Sequence, residues 1–119
     1  MDKENIILQK AVLADSNTIS ALVNSVYRGE NSKKGWTTEA GFLEGIRITP
    51  EKVSGIIEGK KGIIIKAVLD GNIIACVQLE NKDQYSLLGM LSVDVGYQDR
   101  GIGKILINEC ERYTKTVYK

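Results

Sequence analysis

The spacing of apolar residues divides the first part of the chain into a strand and a long helix. A mixed but mainly apolar run predicts the strand over Ile6–Leu13. Apolar residues then recur at helical spacing, and this helix is predicted to begin at an N-cap on Asp15 or Ser16 and to end at Gly29. The recurring residues are Ile19, Leu22, Val23 and Val26. The polar, glycine-flanked segment Glu30–Gly35 is predicted to be a loop.

Two short helices are predicted next. The first is capped by Thr37 or Thr38, and its apolar residues are Phe42, Leu43 and Ile46. The second begins where Thr49 precedes Pro50, because a capping threonine followed by proline at the first helical position is a typical helix start. It is predicted to end at Gly59. Its buried residues are expected to be Ile56 and Ile57.

Three strands and a final helix complete the pattern. The pair Asp70–Gly71 favours a hairpin turn between strands over Ile63–Leu69 and Asn72–Leu79. A third strand is predicted over Tyr85–Val95, with a bulge at Gly89. The last helix has an apolar stripe formed by Ile102, Leu106, Cys110, Tyr113 and Val117. Consecutive strands joined by short turns pair antiparallel, which predicts an α/β fold on a mainly antiparallel sheet flanked by helices.

The composition of the chain excludes several classes of function. The 119 residues are expected to form one domain over 1–119. A net charge of +1 gives no general attraction to nucleic acid or to a membrane, and the chain has no apolar run of transmembrane length. The absence of histidine excludes His-based catalysis and His metal ligands, and no metal site is predicted. Cys76 and Cys110 are interpreted as free thiols of a cytoplasmic protein, with a disulfide as the alternative.

The segment Gln98–Lys104 carries the strongest functional signal. It joins the third predicted strand to the last helix and contains Gly101 and Gly103. Such a turn presents unpaired backbone N–H groups at the positive end of a helix, where an anion binds well. Glycine adds no side chain that would hold a bulky anion away from these amides. The segment therefore predicts a phosphate-bearing cofactor.

This loop resembles that of the GNAT superfamily of acetyl-CoA-dependent N-acetyltransferases. The family pattern is Gln or Arg, two residues, Gly, one residue, then Gly or Ala, and here it is formed by Gln98, Gly101 and Gly103. Upstream, residues 26–30 and 35–39 resemble the first helix and the substrate-side loop of one branch of the family. The resemblance implies a GNAT-like fold that binds acetyl-CoA as the acetyl donor.

The resemblance also implies which residues hold the cofactor. The pyrophosphate would lie on the loop amides, and the pantetheine arm would pair with the backbone of the preceding strand. The implied residues are Leu91, Ser92, Val93, Val95, Gln98, Asp99, Arg100, Gly101, Ile102, Gly103 and Lys104. The family domain usually continues past the position of Lys119 with further strands and a helix. We therefore expect a fold that lacks these elements, and a homodimer formed through the uncovered sheet edge.

Three carboxylates are candidates for the general base. The resemblance puts Glu30 and Glu39 beside the acceptor cleft, although Glu39 could instead complement a helix dipole and Glu30 could contact only solvent. Asp94 could simply lie on the polar side of its strand. The implied function is direct acetyl transfer to an unknown amine in a ternary complex. The alternative is a truncated, non-catalytic protein that binds coenzyme A or self-associates.

Overall fold

In the part of the chain that the structure describes, four strands form one antiparallel sheet flanked by three helices. The computed structural model describes residues 5–34, 48–82 and 85–118. The strands are β1 (Ile7–Lys10), β2 (Gly62–Leu69), β3 (Asn72–Asn81) and β4 (Ser86–Val93), in the order β1-β2-β3-β4. The helices are α1 (Ser16–Lys34), α2 (Pro50–Glu58) and α3 (Ile102–Tyr113). This arrangement confirms the predicted α/β fold on an antiparallel sheet.

The sheet separates two apolar cores. On one face, α1 and α2 pack against the sheet through residues that include Ile19, Val23, Val53, Ile64 and Cys76. On the other face, α3 packs through Leu106 against residues that include Ile63, Ile65, Val77 and Leu79. Because strand residues alternate between faces, a strand covered on both sides needs apolar residues at consecutive positions. The isoleucine run at the start of β2 meets that requirement.

The beginning of the chain differs from the prediction in two ways. β1 ends at Lys10, and a 3₁₀ turn over Leu13–Asp15 precedes α1. The predicted stop at Gly29 and the predicted loop from Glu30 are wrong, because α1 continues to Lys34. One glycine inside a helix costs only about 1 kcal/mol relative to alanine, and residues 30–34 contain no proline or further glycine to end the helix.

The predicted start and end of α2 are confirmed. The Lys52 N–H donates to the Thr49 side-chain oxygen at 3.2 Å, Pro50 is the first helical residue, and Gly59 follows the last turn. The side chain that α2 buries fully is Val53, whereas Ile56 and Ile57 are half-buried. The apolar face of the helix is therefore centred one turn earlier than predicted. The helix expected to begin at Thr37 or Thr38 lies outside the described residues.

The predicted hairpin between β2 and β3 is confirmed. Asp70 and Gly71 have φ angles of +52° and +82°, as the two-residue turn that matches strand twist requires. The apolar stripe of α3 is confirmed at Ile102, Leu106 and Cys110, which are all buried. The stripe does not reach Val117, which is 55% exposed, because a π turn over Thr114–Tyr118 changes the helical period after α3. In the part of the chain that the structure describes, no helix is long and apolar enough to cross a membrane.

Candidate cofactor site

Hydrogen bonds fix the turn between β4 and α3. Asp94 accepts the Gly96 N–H on its carboxylate at 2.9 Å, and its carbonyl accepts the Tyr97 N–H at 2.8 Å. These contacts form a 3₁₀ turn over Val95–Tyr97. The side-chain amide of Gln98 then donates to the carbonyl of Val93 at 3.0 Å. The Asp94 carboxylate therefore supports the turn, which favours the structural interpretation of this residue over a role as general base.

The first turn of α3 has no side-chain cap. Gly101 occupies the N-cap position with a φ of +81° and offers no side chain to the helix amides. Asp99 also lies in the left-handed region, at a φ of +62°. Capping side chains normally satisfy some of the first four helical N–H groups. The N–H groups at the start of α3, from Ile102 to Lys104, are thus available to an anion.

A pocket of about 320 Å³ lies in front of these amides. It is lined by Val26, Leu91, Val93, Tyr97, Gln98, Asp99, Gly101, Ile102 and Gly103. A Cβ added at Gly103 would lie 3.8 Å from Leu91 Cδ2, an ordinary contact, so packing within the protein does not require glycine there. The open pocket in front of the helix does favour glycine at this position, because a longer side chain would fill the pocket. Uncapped amides beside an open pocket fit the diphosphate of a nucleotide cofactor.

A bulge in β4 turns side chains toward this pocket. Met90 and Leu91 both lie opposite Val77, and Met90 has a φ of +53°. Met90 packs with the α1 and α2 core, whereas Leu91 lines the pocket and Val93 packs with the α3 core. If side chains alternated strictly between the two faces of the sheet from Leu88 onward, Met90 would instead pack with the α3 core and Val93 with the α1 and α2 core. The bulge predicted at Gly89 is therefore present one residue later, and it positions the strand side of the site.

The end of β4 also offers a backbone donor. The Asp94 N–H donates to the Ile74 carbonyl at 2.8 Å, on the side of β3. Backbone groups of successive residues in an antiparallel strand point in opposite directions, so the Val93 N–H faces away from β3. Among the described residues, β4 pairs only with β3. This edge can therefore pair with an extended, amide-bearing ligand.

The structure brings some of the predicted cofactor residues together and separates others. Ser92 is 3% exposed and donates its hydroxyl to the Met90 carbonyl at 3.1 Å, so its side chain points away from the pocket. Val95, Arg100 and Lys104 are exposed and do not line the pocket. Arg100 and Lys104 form no ion pair with any described residue, and their charges can still attract an anion to the loop.

Two pocket residues were missed by the sequence analysis. Val26 belongs to α1, and no local pattern shows that this helix crosses the end of β4. Tyr97 directly precedes the glycine loop, and this position is the sequence signal that could have identified it as a pocket residue. The candidate base Glu30 lies one helical turn after Val26. Glu39 lies outside the described residues.

The described cysteines are free and buried, which makes both thiols poor nucleophiles. Burial raises the pKa of Cys76 to about 12. Burial, with a smaller effect of the Glu109 charge, raises the pKa of Cys110 to about 11. The thiolate is the reactive form of cysteine, so neither residue is suited to carry an acyl group.

Comparison with known families identifies the chain. The acetyltransferase (GNAT) family model matches residues 27–117. The chain belongs to the GNAT family. It is therefore an N-acetyltransferase by family, and its acetyl donor is acetyl-CoA. A search of curated proteins gives no match.

Solved structures with a similar fold agree with this membership. The PaiA N-acetyltransferase of Thermoplasma acidophilum, in complex with coenzyme A, has a TM-score of 0.81 at 22% identity, over 92% of this chain and 72% of that chain. A tetramutant of a Bacillus halodurans protein has a TM-score of 0.73 at 16% identity, over 92% and 75%. An aminoglycoside acetyltransferase from an uncultured soil metagenomic sample, in complex with sisomicin, has a TM-score of 0.66 at 16% identity, over 94% and 71%.

Proposed function

We propose that this GNAT protein transfers the acetyl group of acetyl-CoA directly to an amine in a ternary complex. The observation that carries the proposal is the uncapped start of α3, which lies beside a pocket and next to the open edge of β4. The cofactor supplies the thioester that carries the acetyl group. In the transfer, the amine nitrogen would bond to the acetyl carbon as the carbon–sulfur bond breaks, and coenzyme A would leave as a thiol after taking up the proton that the amine loses.

The proposed binding mode divides the cofactor between loop and strand. The N–H groups of Ile102, Gly103 and Lys104 hold the pyrophosphate, with the helix dipole adding to the attraction. The edge of β4 from Leu91 to Val93 pairs with the amide-bearing arm. The Val93 N–H is the donor placed to stabilise negative charge on the thioester oxygen during attack.

The proposed mechanism needs a base and no protein nucleophile. Glu30 and Glu39 are the proposed bases, one of which removes a proton from the attacking amine directly or through water. The position of Glu30, one turn beyond the pocket residue Val26, supports its candidacy. The buried thiols favour direct attack over an acyl-cysteine intermediate. Unchanged turnover in Glu30→Gln would remove Glu30 as the base.

Calorimetric titration of acetyl-CoA tests the site. We expect saturable binding that is lost in Gly103→Glu, because a carboxylate would enter the pocket in front of the helix amides. Gly55→Glu is the matched control, since a Cβ at this exposed position has no atom within 4 Å. Equal binding by both variants, or no binding by the folded wild-type protein, would contradict the proposed site.

An amine panel then tests transfer. It should include sisomicin, which one similar structure holds, and a peptide with an N-terminal alanine, because another similar structure is a ribosomal-protein-alanine N-acetyltransferase from Brucella melitensis. Acetyl-CoA-dependent acetylation of any amine supports an enzyme. Binding without acetylation of any panel amine would favour the non-catalytic alternative, a coenzyme A-binding protein.

The remaining proposals concern the domain, its self-association and its location in the cell. We propose that residues 1–119 act as a single acetyltransferase-like domain that self-associates through the open edge of β4. The free state of both described cysteines supports the proposed cytoplasmic location.

A further inference from the structure

The bulge in β4 carries a hydrogen bond from a buried serine. Ser92 lies opposite Cys76 in the register of the sheet, and Cys76 belongs to the α1 and α2 core. Directly opposed residues of antiparallel strands share a face of the sheet, so the Ser92 side chain lies on that face and away from the pocket. Ser92 is 3% exposed, and its hydroxyl donates to the carbonyl of Met90 at 3.1 Å. This contact is therefore shielded from water and spans the bulge from its buried side.

The backbone conformation of Met90 is unfavourable and needs support from its surroundings. Its φ of +53° lies in the left-handed region, which a residue with a Cβ seldom adopts. Such a conformation persists only where the surrounding structure fixes it. The register between β3 and β4 gives Met90 no partner, so regular strand pairing does not fix this residue. The Ser92 hydroxyl supplies a fixed hydrogen-bond donor to the Met90 backbone instead.

The bulge decides which N–H group of β4 faces away from β3. Backbone groups alternate in direction along an antiparallel strand, so one inserted residue reverses the direction at every later position. With the bulge, the Asp94 N–H donates to the Ile74 carbonyl on β3, and the Val93 N–H faces the opposite way. Without the bulge, the register of Leu91–Val93 would shift by one residue and the Val93 N–H would point toward β3. The proposed donor to the thioester oxygen therefore depends on the bulge.

We propose that Ser92 is a positioning residue for acetyl transfer. Its hydroxyl holds the Met90 carbonyl, keeps Met90 in the left-handed conformation and so directs the Val93 N–H at the thioester oxygen. The Ser92 side chain touches neither cofactor nor acceptor in this role, and it acts through the backbone of β4. The role rests on the proposed binding of acetyl-CoA at the loop and the strand edge. It differs from the pairing with the cofactor arm that the family resemblance implies for this residue.

Infrared difference spectroscopy of bound acetyl-CoA, with an isotope label at the thioester carbonyl, tests this role. A hydrogen bond to the thioester oxygen polarises the C=O bond and lowers its stretching frequency, so the wild-type protein should lower the frequency relative to free acetyl-CoA. Ser92→Ala should return the frequency toward the free value. Calorimetric titration should show that the same variant binds acetyl-CoA about tenfold more weakly, because it loses a buried hydrogen bond that positions the strand.

Ser20→Ala is the matched control. Ser20 is 4% exposed and donates its hydroxyl to the Asn17 carbonyl at 3.0 Å within α1, and it does not line the pocket. Its substitution therefore removes the same kind of buried hydrogen bond at a position unconnected with the bulge. The carbonyl frequency and the affinity for acetyl-CoA should both stay at the wild-type values. Circular dichroism checks that each variant is folded.

A second substitution tests whether Ser92 acts through Met90. Glycine adopts a positive φ freely, so Met90→Gly removes the need for the hydroxyl. Ser92→Ala should therefore change the frequency and the affinity much less in the Met90→Gly background than in the wild-type background. The comparison allows for the packing lost with the methionine side chain, because both members of the pair lack it. If Ser92→Ala alone does not fold, recovery of folding and binding in the double variant supports the role, and failure to recover overturns it.

The outcomes separate the role of Ser92 from the cofactor proposal. A folded Ser92→Ala with wild-type frequency and affinity, an equal effect of Ser20→Ala, or an undiminished effect in the Met90→Gly background would each overturn the positioning role alone. A wild-type protein that binds acetyl-CoA without lowering the carbonyl frequency would contradict the Val93 N–H as donor, and with it the role of Ser92. No binding by the folded wild-type protein would contradict the cofactor site itself.

Discussion

Gln98 donates its side-chain amide to the carbonyl of Val93 at 3.0 Å and thereby joins the two ends of the turn that precedes α3. The contact links the first residue of the glycine motif to the last residue of β4. It holds the uncapped amides of α3 in a fixed relation to the strand edge. Gln98 thus has a structural role in the motif that is separate from the proposed anion-binding role of the loop backbone.

Replacing Gln98 with alanine should weaken acetyl-CoA binding about tenfold. A hydrogen bond of this kind contributes roughly 0.5–1.5 kcal/mol, and the loop that it positions carries the proposed pyrophosphate site. Calorimetric titration measures the effect. Gln9→Ala, at an exposed position on β1, is the control and should leave the affinity unchanged. Equal affinity for both variants would mean that the loop keeps its position without this contact.

The same glycine-to-alanine change should have opposite effects at two positions. Gly101→Ala should lower the free energy of unfolding by roughly 1–2 kcal/mol, because its φ of +81° is unfavourable for a residue with a Cβ. Gly55→Ala should raise it by about 0.5–1 kcal/mol, because Gly55 lies inside α2 and a Cβ there meets no atom within 4 Å. Urea unfolding measures both. A stabilised Gly101→Ala would show that the loop can adopt another conformation at no cost.

Local signals accounted for the elements that the sequence predicted correctly. Thr49 with Pro50 is a helix start because one side chain satisfies a free amide and the next residue needs none. Asp70–Gly71 is a turn because both residues tolerate a positive φ. The loop at Gln98–Lys104 combined glycine spacing with a strand before it and a helix after it. Each of these signals lies within a few residues of what it predicts.

The wrong or missed predictions concern features that are determined by tertiary contacts or have only a weak local signal. The helical propensity of one glycine is too weak a signal to end α1 at Gly29 when the following residues can continue the helix. The contribution of Val26 to the pocket depends on how α1 crosses the sheet, which no spacing within α1 reveals. The choice of Val53 as the buried residue of α2 likewise depends on its neighbours, Ile19 and Ile64 among them, in the core.

The buried thiols should react slowly in the native protein. Cys76 has no exposed surface and Cys110 is 1% exposed, and the pKa of both is raised by burial. At pH 8, iodoacetamide should modify neither cysteine on the timescale on which it modifies the urea-unfolded chain. Mass spectrometry counts the added groups. Fast modification without urea would show that one of the two cores opens readily.

The contact between Asp15 and Lys66 should make stability depend on pH. The Lys66 ammonium donates to the Asp15 carboxylate at 2.7 Å, and the Val12 N–H donates to the same oxygen at 2.9 Å. Burial alone would raise the pKa of Asp15, but these hydrogen bonds outweigh it and hold the pKa below its usual value. A carboxyl group with a lowered pKa in the folded state contributes stability above its unfolded pKa and loses it as the pH falls through the folded value.

Asp15→Asn should therefore destabilise the protein at pH 7, and the difference from wild type should shrink as the pH falls below about 4, the usual pKa of aspartate. The expected loss at neutral pH is roughly 1.5–3 kcal/mol, the range for a hydrogen bond to a charged group, since both side chains are largely buried at 15% and 13% exposure. Urea unfolding at several pH values measures it. Asp70→Asn removes an exposed turn carboxylate that pairs with no described cation, and it should change stability little at any pH. If both variants showed the same pH dependence, the stabilisation would come from net charge and not from the contact with Lys66.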